Sequence, residues 1–177
     1  MRVAVFSPGC LTDGDLLVVP SGLGTPALEA LEPLRAFAER GGRLLALGDG
    51  VAWLCAAALL PGGVTADEPG PRTHVRVEGR ATPFTWAIPA GRILALAGAP
   101  AHRYAAADAE VDSLAAGGRI LFRYCDASGG IPRADARAAT VAGLCDDSGR
   151  VVGILGGVSN TLDCVLGRQL NACLARV

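Results

Sequence analysis

Apolar positions along this chain fall into short continuous runs, broken by glycine and proline and alternating with stretches of helical spacing. Met1 to Phe6 predicts an opening strand, closed by the turn residues Ser7-Pro8-Gly9-Cys10. Leu16 to Val19 is apolar at every position, the pattern of a strand buried on both faces of a parallel sheet. Only nine residues, Ser7 to Asp15, separate the two runs. A helical crossover needs about a dozen or more, so the connection is expected to be an extended loop or a hairpin, with no helix to cover one sheet face. Pro26 to Arg40 predicts a helix, kinked or restarted at Pro33, with Leu34, Phe37 and Ala38 toward the core and Gly41 as its stop. Leu44 to Leu47 then predicts a strand that enters a tight turn, Gly48-Asp49-Gly50, and leaves as a helix from Val51 to Leu60, ended by Pro61-Gly62.

The pattern changes after Gly62. Thr73 to Val77 and Phe84 to Trp86 alternate, which predicts strands with one wet face. Arg92 to Ala97 predicts another strand, Pro100 to Tyr104 a loop, and Ala107 to Ala116 a helix or turn ended by Gly117-Gly118. Arg119 to Tyr124 and Ala139 to Cys145 read as strands. Asp146-Asp147-Ser148-Gly149 turns the second of these into a returning strand, Arg150 to Leu155. The tail, Thr161 to Val177, carries apolar residues at helical spacing.

A chain of 177 residues with 51% hydrophobic content is expected to form one domain over 1–177 with an ample core. A net charge of −1 with acids and bases interspersed provides no footprint for nucleic acid or for an acidic membrane surface. The six cysteines lack CxxC spacing, which argues against a disulfide scaffold or a structural zinc site. The first residues lack a basic stretch followed by an apolar segment, so no signal segment is expected, and the longest apolar run, Val51 to Leu60, is half of what spans a bilayer. The expected setting is therefore cytoplasmic and reducing, with no membrane contact, no metal and no cofactor. Ser21 to Ala27 matches G-x-G-x-x-A formally, but Pro26 fits better as a first helical residue behind Thr25, and the stretch reads as a glycine-rich turn.

The chemistry-bearing feature is the strand, elbow and helix around Gly48. Such elbows sit at carboxyl ends of strands in open α/β sheets, where nucleophiles are placed. Here the top of the turn is Gly48, and Asp49 is expected to be a helix N-cap. Cys10, after the first strand, is the best substitute thiol at the same sheet edge, whereas Cys55 reads as core. His74 lies on an alternating strand and is expected to be solvated. His102, beside Arg103 and Tyr104, is a candidate pocket or interface residue.

Several segments in order resemble the glutaminase subunit of phosphoribosylformylglycinamidine synthase, a class I glutamine amidotransferase. They are Asp15 to Gly22 (DLLVVPSG), Phe37 to Gly42, the elbow with Ala58 to Gly62, Phe122 to Asp126 (FRYCD), and Val141 to Cys145 with Ser148 to Gly153. The resemblance implies a flavodoxin-like α/β three-layer sandwich with a mostly parallel central sheet, its N-terminal helix and strand deleted. It also implies a cysteine in a G-I-C-N-G elbow, and a histidine and glutamate in a later H-P-E segment. At those positions this chain has Gly48, Gly157 and Ser159. Gly22 keeps the second glycine of the oxyanion-hole turn, with Ser21 beside it. Cys10, Ser21, Gly22, Asp49 and Ser159 are thus the candidate pocket, and His102, Arg103, Tyr104, Arg123 and Tyr124 the candidate interface.

Two readings stay open on the sequence. One is a subunit without glutaminase activity that docks on a large ATP-dependent synthetase, or associates with itself. The other is an enzyme repurposed for a different small molecule, using the former glutaminase pocket.

Overall fold

A computed structural model describes residues 3–6, 16–66, 74–79, 82–86, 88–96, 100–132 and 137–156. The elements are β1 (Val3–Val5), β2 (Leu16–Val19), a 3-10 turn (Leu28–Ala30), α1 (Leu31–Glu39), β3 (Arg43–Leu47) and α2 (Gly50–Ala56). They continue with β4 (Gly63–Ala66), β5 (His74–Val77), β6 (Ile93–Ala95), β7 (His102–Ala105) and α3 (Asp108–Ala116). Then follow β8 (Ile120–Cys125), a second 3-10 turn (Arg137–Thr140), β9 (Val141–Cys145) and β10 (Val151–Ile154). Cys10, Gly157, Ser159 and the tail helix expected over Thr161 to Val177 lie outside the described residues.

Among the described residues, eight strands form one mixed sheet in the order β1-β2-β3-β10-β9-β8-β5-β6. It is parallel from β1 through β10 and antiparallel from β10 outward to β6. Because β1 and β2 pair in parallel, the hairpin alternative for their connection is excluded. The expected hairpin of β9 and β10 is present, with Val152 opposite Cys145.

The apolar runs at β2 and β3 are buried on both faces because alternate residues enter two different cores. Leu17, Val19, Leu44 and Ala46 pack with Leu34, Phe37, Trp53, Leu54 and Leu114 of the helices. Leu16, Leu45, Val152 and Ile154 pack with Phe84, Leu94 and Tyr124 on the opposite face. All three described helices therefore lie on one face. Among the described residues, the other face is covered through Phe84 and Ile88.

Helix α1 begins just ahead of Pro33, so the proline sits in the first turn, where a missing N–H leaves no helical hydrogen bond unmade. Its end is a Schellman motif: the Gly42 N–H donates to Phe37 O (3.0 Å) and Gly41 N–H to Ala38 O (2.9 Å), with Gly41 at φ +86°.

Three local expectations are corrected. The helix after the elbow ends at Ala56 rather than running to Leu60. Ala58 takes φ +57°, and its N–H and that of Leu59 close a Schellman turn onto Cys55 O and Leu54 O. Phe84 to Trp86 is a turn and not a strand, because Thr82 and Thr85 hydrogen-bond to each other and to the local backbone, in competition with a ladder. His102 to Ala105 is a strand instead of a loop, paired antiparallel with β4 in a separate two-stranded sheet.

Candidate functional site

The elbow is built where β2 and β3 end side by side, with Val19 opposite Ala46. Beyond β2 the chain turns through Pro20, Ser21 and Gly22, and Gly22 adopts φ +89°. Beyond β3, Gly48 takes φ +56°, a left-handed conformation that glycine adopts without strain. Its N–H donates to Ile154 O (2.8 Å), which ties the elbow to the neighbouring strand β10. Gly50 lets α2 leave the turn close to β2: a Cβ there would lie 2.6 Å from both Val19 O and Pro20 O.

Asp49 is not the helix cap that its position predicts. Its backbone is already helical, and its side chain makes no capping bond. The carboxylate instead reaches across to the other turn, where Oδ1 accepts from Ser21 Oγ (2.6 Å) and from the Gly22 N–H (2.7 Å). Partial burial pushes the Asp49 carboxyl up. The Ser21 hydroxyl, the Gly22 amide and the charge of His102 together outweigh burial and hold it below the ordinary range. Ser21, Gly22, Gly48 and Asp49 thus meet at one sheet edge, with His102 in electrostatic reach.

Ser21 also fills the space above Gly48. A Cβ on Gly48 would lie 2.6 Å from Ser21 Oγ and 3.0 Å from Ser21 Cβ. The Ser21 hydroxyl donates to a carboxylate whose proton affinity is depressed, and such a carboxylate is a poor base for activating an alcohol. Among the described residues, the elbow therefore carries a hydrogen-bonded clasp and no nucleophile paired with a base.

The candidate interface residues part company. Arg103 is exposed, its Nε donating to Thr65 Oγ1 (3.2 Å). Tyr104 is buried and donates its hydroxyl to Pro61 O (2.9 Å). Burial, reinforced by the charge of Glu110, pushes its ionisation up. Tyr124 is buried in the second core. Arg123 is mostly covered: its guanidinium donates to Thr140 Oγ1 (2.6 Å) and lies 3.8 Å from Glu78, which also pairs with Arg76 at 2.9 Å. Tyr104 and Tyr124 are thus corrected from surface to core, because each lies on a strand whose pleat aims it inward.

The thiols among the described residues are not poised for chemistry. Burial, with the charge of Glu110, pushes Cys55 up to about 12, and burial with the charge of Asp126 raises Cys125. Among the described residues no cluster of three or more His, Cys, Asp or Glu side chains could hold a metal ion, and no helix is long and apolar enough to cross a membrane. Two clefts appear away from the elbow. One, of about 500 Å³, lies beside Cys55, Pro61, Arg119 and Asp147, and the other, of about 220 Å³, beside Thr65, Arg103 and Tyr104.

A strand, a left-handed elbow and a short helix at the carboxyl edge of parallel strands define an open α/β protein with its site at that edge. No family model matches the chain. It is 32% identical over 171 residues to the phosphoribosylformylglycinamidine synthase subunit PurQ of Rhodopseudomonas palustris (strain BisB18), covering 86% of this chain and 73% of that protein. It is 34% identical over 174 residues to the protein of that name from Symbiobacterium thermophilum, covering 93% and 72%. Its fold matches a chain in the structure of PurLQS from Thermotoga maritima, with a TM-score of 0.67 and 21% identity over 94% of this chain and 81% of that one. The chain belongs to the PurQ family of phosphoribosylformylglycinamidine synthase subunits.

Proposed function

We propose that this chain is a glutaminase-like subunit without glutaminase activity, which docks on and supports an ATP-dependent synthetase of the phosphoribosylformylglycinamidine synthase type in purine or related specialised metabolism. The observation that carries the reading is Gly48, which sits in the left-handed position of the elbow and offers no side chain to attack an amide. The sequence adds to it, since Gly157 and Ser159 stand where the resemblance implies the base and the residue that orients it. The partner is inferred from the family, whose relatives carry the name of a synthase subunit, and from the fold neighbour in PurLQS. The clasp at Ser21 and Asp49 disfavours a repurposed pocket, because the turn residues satisfy one another. Cytoplasmic location is part of the same proposal.

The test is to co-express the chain with the synthetase of its own host, then assay amidine formation with glutamine and with ammonium as nitrogen source. Co-elution in stoichiometric amounts, with turnover on ammonium and none on glutamine, is expected. Turnover on glutamine would overturn the loss of activity, and separate elution of two folded proteins would overturn the subunit role.

A further inference from the structure

We infer that the cleft between β7 and the second 3-10 turn is an anchor pocket for the synthetase partner, which seats in it one large apolar side chain next to a carboxylate that Arg103 binds. This rests on the docking proposed above and names the surface and the chemistry of the contact.

The cleft, of about 220 Å³, is lined by Thr65 and Arg103 and by the methyl groups of Ala105, Ala106, Ala138 and Ala139. Its form follows from the strand pleat. On β7, Tyr104 points inward with its hydroxyl tied to Pro61 O (2.9 Å), so Arg103 and Ala105 face the other way. Thr65 lies opposite Arg103 in the β4–β7 pairing. The facing wall is fixed by three hydrogen bonds: the Arg137 N–H donates to Asp108 Oδ1 (3.1 Å), the Thr140 hydroxyl to Arg137 O (2.7 Å) and Arg123 Nη1 to Thr140 Oγ1 (2.6 Å). Short side chains on a fixed frame leave a notch that exists before any partner arrives, so little ordering is lost on binding.

Charge sets the second requirement. Arg137 is paired with Asp112, and Arg76 and Arg123 share Glu78. Arg103 is exposed, and its Nε donates to the neutral Thr65 hydroxyl (3.2 Å); among the described residues no carboxylate pairs with it. Both Nη groups are thereby left to a carboxylate, which a guanidinium binds through two parallel hydrogen bonds.

Size decides between a metabolite and a protein. Small-molecule clefts commonly hold about 300–1,000 Å³ and several convergent polar groups. This one is smaller, and the polar side chains Thr65 and Arg103 at its rim already bond to each other. One apolar side chain in a small pocket beside an arginine is how protein interfaces concentrate their binding energy. The position suits the proposed partner as well. Strand β10 runs parallel to β3, and β9 runs against β10, so the turn ahead of β9 stands at the same sheet edge as the elbow. His102, next to Arg103, is in electrostatic reach of Asp49. A subunit seated in the cleft therefore lies alongside the elbow.

The experiment measures binding of the full chain to the synthetase of its own host by isothermal titration. Wild type is expected to bind stoichiometrically. Arg103→Glu is expected to weaken binding roughly tenfold or more, and Ala139→Leu, which fills the cleft, at least several-fold, while each variant alone keeps the wild-type melting temperature. If Ala139→Leu does not fold, Ala105→Met fills the same space. Arg40→Glu, a charge reversal at the exposed end of α1, is expected to bind as wild type does. A photo-crosslinking benzophenone residue at position 139 is expected to capture a synthetase peptide with an aspartate or glutamate directly beside the point of attachment. Wild-type affinity in Arg103→Glu or in the filled variant, an equal loss in Arg40→Glu, or a captured peptide without an acid would overturn the inference and leave the subunit reading intact. A wild-type chain that does not bind the synthetase would overturn both. A dimer of the chain alone that Arg103→Glu dissolves would assign the cleft to a second copy and so overturn the choice of partner.

Discussion

The two ends of α2 hold opposite combinations of chemistry and access. At the elbow end, the fold sets Gly48, Asp49 and Ser21 at the carboxyl edge of parallel strands, where open α/β proteins place reactive groups, yet the Ser21 and Asp49 side chains bond to one another. At the far end lies a thiol, Cys55, beside a cleft of about 500 Å³, but burial and Glu110 push its ionisation up to about 12. Among the described residues, a nucleophile of the right element thus sits at the wrong end, and the right end has none. Position in a fold makes chemistry available, but residue identity and dielectric surroundings decide whether it occurs.

This contrast requires that α2 be held in one place, and the largest expected effect comes from releasing it. Trp53 is buried, stacks edge-on against Phe6 with ring centres 5.4 Å apart and binds Gly24 O. Trp53→Ala is expected to cost about 3–5 kcal/mol, visible as a lower midpoint in urea unfolding, and to loosen the 20–24 turn.

Gly48→Cys would place a nucleophile at the right end. Its left-handed backbone costs roughly 1–3 kcal/mol in a non-glycine residue, and overpacking against Ser21 adds about 1–3 kcal/mol. The single variant should be destabilised and inactive on glutamine. Adding Ser21→Gly should recover the overpacking part but not the backbone part, so the double-mutant cycle should show a favourable coupling of roughly 1 kcal/mol or more. Strict additivity would mean that Ser21 does not occupy that space.

A smaller effect follows from pH. Asp49 titrates below its ordinary value of 3.8, so its clasp contributes stability above that value and loses it as pH falls through the folded-state value. The stability difference between wild type and Asp49→Asn should therefore be constant near neutrality and shrink only below about pH 4. Denaturant titrations at pH 7 and at pH 3 to 4 check the sign. Smallest is the expected response of Cys55 to iodoacetamide at pH 8 in the native state: peptide mapping should find it unmodified, and rapid labelling would show the far end to be more reactive than its burial implies.

Much of the fold was legible because it is written locally. Continuous apolar runs marked β2 and β3, Gly41 marked the end of α1, and Asp146 to Gly149 marked the β9–β10 turn. Helix α2 was read too long because Ala58 accepts a left-handed turn, a choice that favours glycine and leaves no signal when alanine makes it. The elbow was equally legible, including the glycine at its top. The role of Asp49 was not, because a helix-start aspartate looks the same whether it caps its own helix or binds a turn 27 residues away. Nor did pattern alone separate Tyr104 and Tyr124, which are buried, from Arg103, which is exposed.

By itself, the sequence determined the succession of strands, turns and helices, the glycine at the top of the elbow and the membership in the PurQ family, since each rests on neighbouring residues or on their order. Tertiary structure alone decided that Asp49 turns away from its own helix to Ser21 and Gly22, that Ser21 fills the space over Gly48, and that Cys55, beside a cleft, is held protonated. Those outcomes depend on which strands lie side by side. Hydrogen bonding and desolvation act over a few ångströms in space, whatever the separation along the chain.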